Sequence, residues 1–195
     1  SPSPRTYRDH LDTLLPSEVV ASTEWPTRHE FVGDLILIKL DEIQRQYGDA
    51  IGEALLRQHS RIRAVFEDLG VIDTFRVRDL RLLAVRDGQK PTTRTQTSVN
   101  GHNLWTDPST VYYSSKLHHE RERTLDRAKE LRDELGRPLA VCDPYAGVGP
   151  SLLPLISEPE LVGELFAGDL NPAAVEFLRE NLTHPSATIE CTDAR

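Results

Sequence analysis

Several residue types that mark particular classes of protein are scarce or missing in this sequence. The only two cysteines, Cys142 and Cys191, lack the spacing of a metal site and are too few for a disulfide framework. We therefore expect two buried free thiols, no bound metal and a protein of the reducing cytoplasm. No apolar run of about eighteen residues occurs, so we expect no span across a membrane. Methionine is absent even at position 1, and we expect either a processed chain or a piece of a longer one.

Lysine is also scarce, and the charge is unevenly distributed. The chain has four lysines against nineteen arginines, and its formal net charge is -8. Such a charge argues against a protein that holds nucleic acid by overall electrostatic attraction. Residues 54–95 differ, because they carry nine basic and five acidic side chains. This segment therefore has a local net charge of +4, although the whole chain is acidic.

Residues 1–115 combine helical and strand patterns in an irregular order, which indicates a small α+β domain. Some segments have apolar residues at helical spacing. Between them lie short segments with a strand pattern, in which the residues are either all apolar or apolar and charged by turns. Turn signals at Asp87-Gly88 and Asn100-Gly101 separate the later strands. The patterns predict helices over 5–15 and 43–58 and strands over 35–38, 64–66 and 75–83.

From about residue 116 onward the pattern changes to a regular alternation of strands and helices. A charged helix that ends at Gly136 comes first, and three apolar runs separated by two helices follow. This order is typical of one half of a doubly wound parallel sheet. We therefore predict an α/β fold in which residues 116–195 form the N-terminal half of a Rossmann-like domain, with its remaining strands lying beyond this chain. The predicted elements are helices over 120–135, 151–157 and 172–182 and strands over 139–143, 165–169 and 187–191.

A glycine turn and three acids mark a candidate nucleotide site in this half-domain. Gly147 and Gly149 follow the first strand, and two glycines there let the backbone approach a ligand and turn into a helix. Asp143, Asp169 and Asp193 each come at or just after the end of a strand. Asp169 is a candidate to accept hydrogen bonds from both ribose hydroxyls, and Asp193 is a candidate to meet the adenine amino group. The alternative for Asp169 is the N-cap of the following helix.

The residues around this turn favour S-adenosylmethionine over a dinucleotide as the ligand. The third glycine that lets a helix pack tightly under a pyrophosphate is absent, because Pro150, Ser151 and Leu152 follow Gly149. Asp143 would repel a pyrophosphate, but its charge suits a sulfonium cation with an amino group. The predicted donor-binding residues are Asp143, Tyr145, Ala146, Gly147, Val148, Gly149, Asp169, Leu170, Asn171 and Asp193.

Two stretches of the half-domain resemble the archaeal and eukaryotic tRNA guanosine-37 N1-methyltransferases and their wybutosine-pathway relatives. They are Asp-Pro-Tyr-Ala-Gly-Val-Gly-Pro at 143–150 and Asp-Leu-Asn-Pro at 169–172. The resemblance extends upstream through residues 75–78 and 111–121 and covers nearly the whole chain. It implies a Rossmann-like methyltransferase domain with S-adenosylmethionine as cofactor. It also implies that residues 1–115 help to present the partner, a tRNA bound at its anticodon loop.

The resemblance also implies roles for residues outside the glycine turn. Glu120 is similar to the family's proposed general base, which removes the N1 proton of guanine as the methyl group arrives. Arg76 is the candidate to stabilise negative charge on O6. Arg78, Lys116 and Arg121 are candidates to bind RNA. The family usually has arginine at the position of Lys116, and lysine keeps the charge but loses bidentate contacts.

Other interpretations of the same residues stay open. Glu120 also fits an exposed acid in the first turn of a helix, and Arg76 and Arg78 also fit the solvated face of a strand. The wybutosine-pathway relatives transfer the aminocarboxypropyl group of the same donor, whereas Glu120 favours methyl transfer because guanine N1 needs a base. A third interpretation is a non-catalytic homologue that only binds RNA, through residues 54–95. Because the half-domain lacks its later strands, we also expect this chain to be inactive on its own.

Overall fold

The structure is a computed structural model that describes Ser3 and residues 6–193. Its contacts divide the described chain into two compact units. Each unit has a buried core and a sheet of its own. The first unit contains the residues up to Ile72 and Arg78–Thr95, and the second contains Asp73–Val77 and the residues from Gln96 onward.

The division between the units falls earlier in the chain than the predicted domain boundary between residues 115 and 116. The segment directly after Thr95 explains the difference, because its contacts are with the second unit. Val99, Leu104 and Val111 are buried in the same core as the parallel sheet of that unit. Turn and strand patterns report local structure, and they do not reveal which core a strand joins.

Within the described residues, the first unit consists of four helices and a four-stranded mixed sheet. In chain order these are α1 (Tyr7–Leu14), α2 (Ser17–Ser22), β1 (Glu30–Val32), β2 (Leu35–Ile38), α3 (Glu42–Arg45), α4 (Gly48–Gln58), β3 (Ala64–Val71) and β4 (Arg78–Val85). The strand order is β1-β2-β3-β4, in which only β2 and β3 are parallel. All four residues of β2 are buried, as the continuous apolar run predicts. The first helix was expected to begin at Arg5, which lies outside the described residues.

The helix predicted over 43–58 is two helices in the structure. A capping box between Asp41 and Gln44 starts the short α3. At Tyr47 the backbone leaves the helical range, with φ −107° and ψ 20°, before α4 begins. The Tyr47 ring packs edge-on against Trp25, with 5.7 Å between the ring centres. This packing is a tertiary contact, which helical spacing along the sequence cannot reveal.

The strand predicted over 75–83 begins only at Arg78. The reason lies at Arg76, whose φ of 58° is outside the range of a strand. The preceding residues form a turn in which the Arg76 N–H donates to the Asp73 carbonyl oxygen at 3.1 Å. Arg76 therefore lies in a loop rather than on the solvated face of a strand, and that alternative for Arg76 is wrong.

The second unit has a two-stranded sheet, a long helix and a three-stranded parallel sheet with two connecting helices. In chain order these are β5 (Thr95–Val99, whose first residue belongs to the first unit), β6 (His102–Thr106), α5 (His118–Leu135), β7 (Leu139–Asp143), α6 (Leu153–Ser157), β8 (Val162–Asp169), α7 (Pro172–Asn181) and β9 (Ala187–Cys191). The parallel sheet has the order β7-β8-β9. The predicted α/β fold with an alternation of parallel strands and helices is confirmed.

Local signals account for the ends of the long helices. α5 ends because Gly136 has a left-handed backbone, with φ 67°, and its N–H donates to the Arg132 carbonyl oxygen. α7 starts with Pro172 in its first turn, after Asn171 as the N-cap. α6 is shorter than predicted and begins at Leu153 rather than at Ser151.

The two cysteines are exposed, so the expectation of buried thiols is wrong. Cys142 belongs to β7, which is an edge strand of the parallel sheet. Cys191 is the last residue of β9, the other edge strand. An apolar run predicts a strand, but it does not show which of the side chains on that strand are covered by other elements.

Neither a membrane-spanning helix nor a metal cluster is found in the part of the chain that the structure describes. No helix there is both long enough and apolar enough to cross a bilayer. No group of three or more His, Cys, Asp or Glu side chains there could hold a metal ion.

Candidate functional site

The glycine turn follows directly from the carboxyl end of β7. After that strand the backbone turns through residues 144–149. The Ala146 N–H donates to the Gly168 carbonyl oxygen at 2.8 Å. The Gly147 N–H donates to Asp169 Oδ2 at 2.9 Å. The backbone of the turn is therefore fixed to the end of the neighbouring strand, β8.

The two glycines of the turn face different surroundings. Both have a left-handed backbone, with φ 57° at Gly147 and 95° at Gly149, which other residues rarely adopt. A Cβ on Gly149 would lie 3.1 Å from Leu182 Cδ2 and 3.2 Å from Leu178 Cδ2, so this side of the turn packs against the end of α7. A Cβ on Gly147 would meet no atom within 4 Å. Gly147 therefore marks the side from which a ligand can approach the backbone.

Asp143 and Asp169 bring two half-buried carboxylates to the ends of adjacent strands. Burial raises the pKa of the Asp143 carboxyl, the Tyr145 N–H that donates to Asp143 Oδ1 lowers it, and the negative charge of Asp169 raises it. The two carboxylates are therefore close enough for the charge of Asp169 to act on Asp143. Their repulsion is relieved by a cation, so the pair fits a ligand with a sulfonium and an ammonium group.

The corner after β8 is organised by Asn171. Its buried side chain is the N-cap of α7, because Oδ1 accepts from the Ala173 N–H. Its Nδ2 donates to the Thr110 carbonyl oxygen at 2.9 Å. Asp169 instead accepts the Asn171 N–H on Oδ1 and the Gly147 N–H on Oδ2. The N-cap alternative for Asp169 is therefore wrong, and the Asn171 side chain is engaged by the protein itself.

The remaining predicted donor-binding residues differ in exposure. Tyr145 and Leu170 are 72% and 50% exposed. Ala146 and Val148 are buried, so their side chains support the turn and only their backbone can face a ligand. Asp193 is exposed and lies just beyond the end of β9. The side chains of Tyr145 and Leu170 are thus exposed beside the turn.

Arg76 lies in the loop that packs with the second unit. Its guanidinium carbon is 5.1 Å from the centre of the Tyr112 ring, which is a cation–π contact. A positive φ at a residue other than glycine costs about 1 kcal/mol or more and is often found at functional positions. Sequence patterns did not single out Tyr112, because its contact with Arg76 joins residues far apart in the chain.

Arg121 is buried, although we predicted a contact with RNA. Its side chain is only 6% exposed, and its Nη2 donates to the Ser114 carbonyl oxygen at 2.9 Å. Its guanidinium carbon lies 5.6 Å from the centre of the Tyr113 ring, and its Nε has no hydrogen-bond partner. This geometry favours a role in fixing the segment before α5, and direct binding of RNA stays a prediction.

Lys116 and Glu120 are both exposed near the start of α5. Lys116 belongs to a short 3-10 turn, Ser115–Leu117, and its N–H donates to the Ser114 hydroxyl oxygen at 3.2 Å. Glu120 lies in the first turn of α5, where the helix N–H groups stabilise negative charge. Both side chains are open to solvent, and the first-turn position of Glu120 also agrees with its structural alternative.

Arg78 lies in the first unit and is surrounded by acids. Its Nη1 and Nη2 donate to the two carboxylate oxygens of Glu30, and Nη1 lies 3.5 Å from Asp68 Oδ2. Its side chain is 22% exposed. Two carboxylates therefore compete with any phosphate for this guanidinium, and RNA binding by Arg78 stays a prediction that this geometry does not favour.

Two protein families match successive parts of the chain. Residues 7–90 match the TYW2 N-terminal domain, and residues 95–189 match the TRM5/TYW2 methyltransferase domain. The chain belongs to the TRM5/TYW2 family. The resemblance seen in the sequence is therefore confirmed. The two matched ranges meet between residues 90 and 95, near the division between the compact units.

Individual relatives are similar over most of this chain but are longer. The tRNA (guanine(37)-N(1))-methyltransferase 2 of Phaeodactylum tricornutum is 33% identical over 99% of the chain and 32% of the relative. Trm5b of Pyrococcus abyssi is 32% identical over 92% of the chain and 49% of the relative. Its crystal structure has a TM-score of 0.70 at 27% identity and covers 97% of this chain and 53% of that one. Methanocaldococcus jannaschii Trm5 in complex with adenosine has a TM-score of 0.60 at 27% identity, over 91% and 48% of the two chains. The chain spans about a third to a half of the curated relatives named here.

Proposed function

We propose that the protein containing this chain transfers a methyl group from S-adenosylmethionine to N1 of guanosine 37 in tRNA. The observation that carries the proposal is the pair of carboxylates, Asp143 and Asp169, beside a glycine turn that is open at Gly147. The two curated relatives, at 33% and 32% identity, are named for this reaction, which supports the same reaction here.

The donor would bind between the glycine turn and the ends of β7, β8 and β9. S-adenosylmethionine supplies an electrophilic methyl group on a sulfonium cation. Asp143 would lie beside the cationic part of the donor. Asp169 would accept the ribose hydroxyls, since a carboxylate that accepts two N–H groups still has free lone pairs. Tyr145, Leu170 and Asp193 would flank the adenosine, and the adenosine complex of the Methanocaldococcus jannaschii Trm5 supports a ligand of this kind.

Glu120 and Arg76 would act on the acceptor base. Guanine N1 carries a proton at neutral pH and is a poor nucleophile until a base removes that proton. Glu120 is the proposed base, because it is exposed at the start of α5. Negative charge then develops on O6, where a guanidinium can stabilise it. Arg76 is proposed for this role because its contact with Tyr112 limits the positions that the guanidinium can take.

The partner would be a tRNA bound near its anticodon loop. Lys116 is exposed close to Glu120 and can contact a phosphate as a point charge. Arg121 is proposed to hold the Ser114 carbonyl and so to shape this surface from within. Arg78 would have to leave its carboxylate partners before it could bind RNA. The basic excess in residues 54–95 would add attraction for the phosphate backbone.

We also propose that the protein acts in the cytoplasm. Cys142 and Cys191 are both free and exposed. Exposed thiols persist in a reducing compartment and tend to become oxidised elsewhere. Fractionation of cells that express the tagged protein tests this location.

Aminocarboxypropyl transfer to the wybutosine precursor base is the second candidate reaction. The match of residues 7–90 to the TYW2 N-terminal domain favours it. The names of the two curated relatives favour methyl transfer instead. A carboxylate at Glu120 also suits methyl transfer, because that reaction must deprotonate the acceptor nitrogen.

Mass analysis of the modified nucleoside tests the proposal. The complete protein that contains this chain is purified and incubated with S-adenosylmethionine and a tRNA transcript that carries guanosine 37, and the masses of the digested nucleosides are measured. Methyl transfer yields 1-methylguanosine, whereas a larger aminocarboxypropyl increment on a wybutosine precursor tRNA would support the second reaction. Retained tRNA binding without any product would support an RNA-binding homologue and would overturn both reactions.

A pair of variants tests the role of Glu120. Glu120→Gln should lower the rate of methyl transfer by about 10²- to 10⁴-fold, because an amide cannot take up the N1 proton. Its affinity for the donor should be unchanged, as measured by calorimetry. Glu130→Gln on the same helix is the matched control, since Glu130 is 59% exposed and pairs with Arg127 at the surface of α5. Equal rates in both variants would remove Glu120 from the mechanism.

A further inference from the structure

Asn181, the last residue of α7, connects two segments that are far from it in the sequence. Its Oδ1 accepts from the Trp105 N–H at 2.8 Å. Its Nδ2 donates to the Trp105 carbonyl oxygen and to the Val148 carbonyl oxygen, both at 2.9 Å. The amide therefore uses both of its N–H groups and its oxygen within the protein. No residue pattern in the sequence singles out Asn181.

The bond to Val148 holds the centre of the glycine turn. Val148 lies between Gly147 and Gly149, and glycine backbones rotate more freely than those of other residues. The Val148 peptide would be the most mobile part of the turn without an anchor. Its side chain is fully buried, and Asn181 fixes its carbonyl oxygen on the same inner side.

Two sets of contacts therefore fix the turn. Asp169 and the Gly168 carbonyl hold its first half from the end of β8. Asn181 holds its second half and joins it to β6 through Trp105. With both sets in place, the Gly147 backbone faces open space in a fixed orientation. A preorganised backbone binds a ligand more tightly than one that must be ordered on binding.

We infer that Asn181 is a positioning residue for the donor site, which ties the glycine turn to β6 without touching the donor itself. This inference rests on the proposed function, because it takes the glycine turn as the binding site for S-adenosylmethionine. Loss of the Asn181 amide would then weaken donor binding while the chemical step stays intact.

Two substitutions separate this role from general destabilisation. Asn181→Leu has a similar volume and removes all three hydrogen bonds. His184→Leu is the matched control from the same region, because His184 Nε2 contacts the Val162 carbonyl oxygen at 2.9 Å. Val162 is the first residue of β8, at the end of that strand opposite Asp169. Asn181→Leu loses a bridge from the last residue of α7 and His184→Leu loses one from the segment just after it, but only Asn181→Leu loses the bridge to the glycine turn.

Donor affinity is measured by calorimetry at a temperature at which circular dichroism shows both variants folded. Asn181→Leu should raise the Kd for S-adenosylmethionine about tenfold, as expected for the loss of one or two hydrogen bonds that order the turn. It should also raise KM for the donor and leave kcat within about twofold. His184→Leu should lower the melting temperature and leave this Kd within about twofold.

Hydrogen exchange of the free protein gives a second readout that does not depend on the donor. Peptides that cover residues 143–152 should exchange faster in Asn181→Leu than in His184→Leu or the wild type. Unchanged exchange and an unchanged Kd in folded Asn181→Leu would overturn the inference, as would equal losses of affinity in both variants. A wild-type protein that binds no S-adenosylmethionine would instead overturn the proposed function, and the exchange data would still decide whether Asn181 fixes the turn.

Discussion

Asp143 is proposed to bind the cationic part of the donor, but its charge lowers the stability of the free protein. Burial and the charge of Asp169 hold its pKa above the usual value of 3.8, so the folded state binds its proton more tightly than the unfolded state does. The stabilising contribution of Asp143 is therefore present at low pH and is lost as the pH rises through the raised pKa. At neutral pH the ionised carboxylate destabilises the protein, and a bound cation would reverse this effect.

The first prediction concerns Asp143→Asn. The amide keeps the acceptor for the Tyr145 N–H and removes the charge, so the free protein should become more stable at pH 7, by less than about 1 kcal/mol because the site is partly exposed. Affinity for S-adenosylmethionine should fall at least about tenfold, because the sulfonium loses a charged partner. Urea unfolding and calorimetry measure the two effects. Asp126→Asn on the exposed side of α5 is the control and should change neither, and a donor affinity that survives Asp143→Asn would contradict the site.

Arg76 supports a second prediction at the same scale. Arg76→Lys keeps the charge but loses the planar guanidinium that stacks on Tyr112. We expect methyl transfer in single-turnover experiments to slow by about 10²-fold, since one donor to a developing oxyanion is worth that much. Donor affinity should stay the same, because Arg76 is proposed to face the acceptor base. A variant with a weaker donor affinity and a normal rate would show that the role of Arg76 has been misassigned.

At the scale of elements, β1 and the residue after α4 meet through an aromatic cluster. The rings of His29, Phe31 and His59 pack edge-on at 5.1 to 5.7 Å. Burial lowers the pKa of His29, and the charge of His59 lowers it further; burial also lowers the pKa of His59. His29 Nδ1 and His59 Nε2 are buried without hydrogen-bond partners, so neither ring is prepared to hold a second proton.

The third prediction is a loss of stability in acid. In the folded protein the pKa values of His29 and His59 are lowered from 6.5. At a pH between these lowered values and 6.5, the unfolded state therefore binds more protons than the folded state. Stability should be highest above this window and should fall as the pH drops through it. Urea unfolding from about pH 8 to about pH 5 measures the slope. His59→Phe should reduce the slope of unfolding free energy against pH. His119→Gln should leave this slope unchanged, since His119 is 82% exposed. An equal slope in His59→Phe would exclude the cluster as the cause.

The sequence predicted elements best where local chemistry decides them. Gly136 ends α5 and Pro172 starts α7, because glycine adopts a positive φ without strain and the ring of proline fixes φ in the helical range. The break at Tyr47 and the loop at Arg76 were missed, because neither the periodicity of the apolar residues nor the strand pattern reports the backbone angles at these positions. In the candidate site, Asp143 and Asp169 could be placed from strand ends, whereas the contacts of Arg121 and Asn181 could not.

At the scale of the whole molecule, the residues proposed to bind the donor and the segment proposed to attract RNA lie mainly in different units. All predicted donor-binding residues belong to the second unit, as do Glu120 and Arg76. The basic excess of residues 54–95 belongs mainly to the first. The domain boundary was harder to predict than this division, because the residue types of β5 and β6 do not show which core their buried residues Val99 and Leu104 join.

The fourth prediction follows from this division and concerns where the donor stabilises the protein. At a concentration of S-adenosylmethionine 100 times its Kd, binding to the folded state should raise the free energy of unfolding by about 2.7 kcal/mol. Hydrogen exchange should slow in β7, in the glycine turn and at the start of α7, because the donor would contact their backbone. The strands β1 to β4 should show little direct change, since no donor-binding residue lies there. A reduced dinucleotide, which needs the missing third glycine, should give no protection. Protection centred on β1 to β4 would place the donor elsewhere and would refute the interpretation of Asp143 and Asp169.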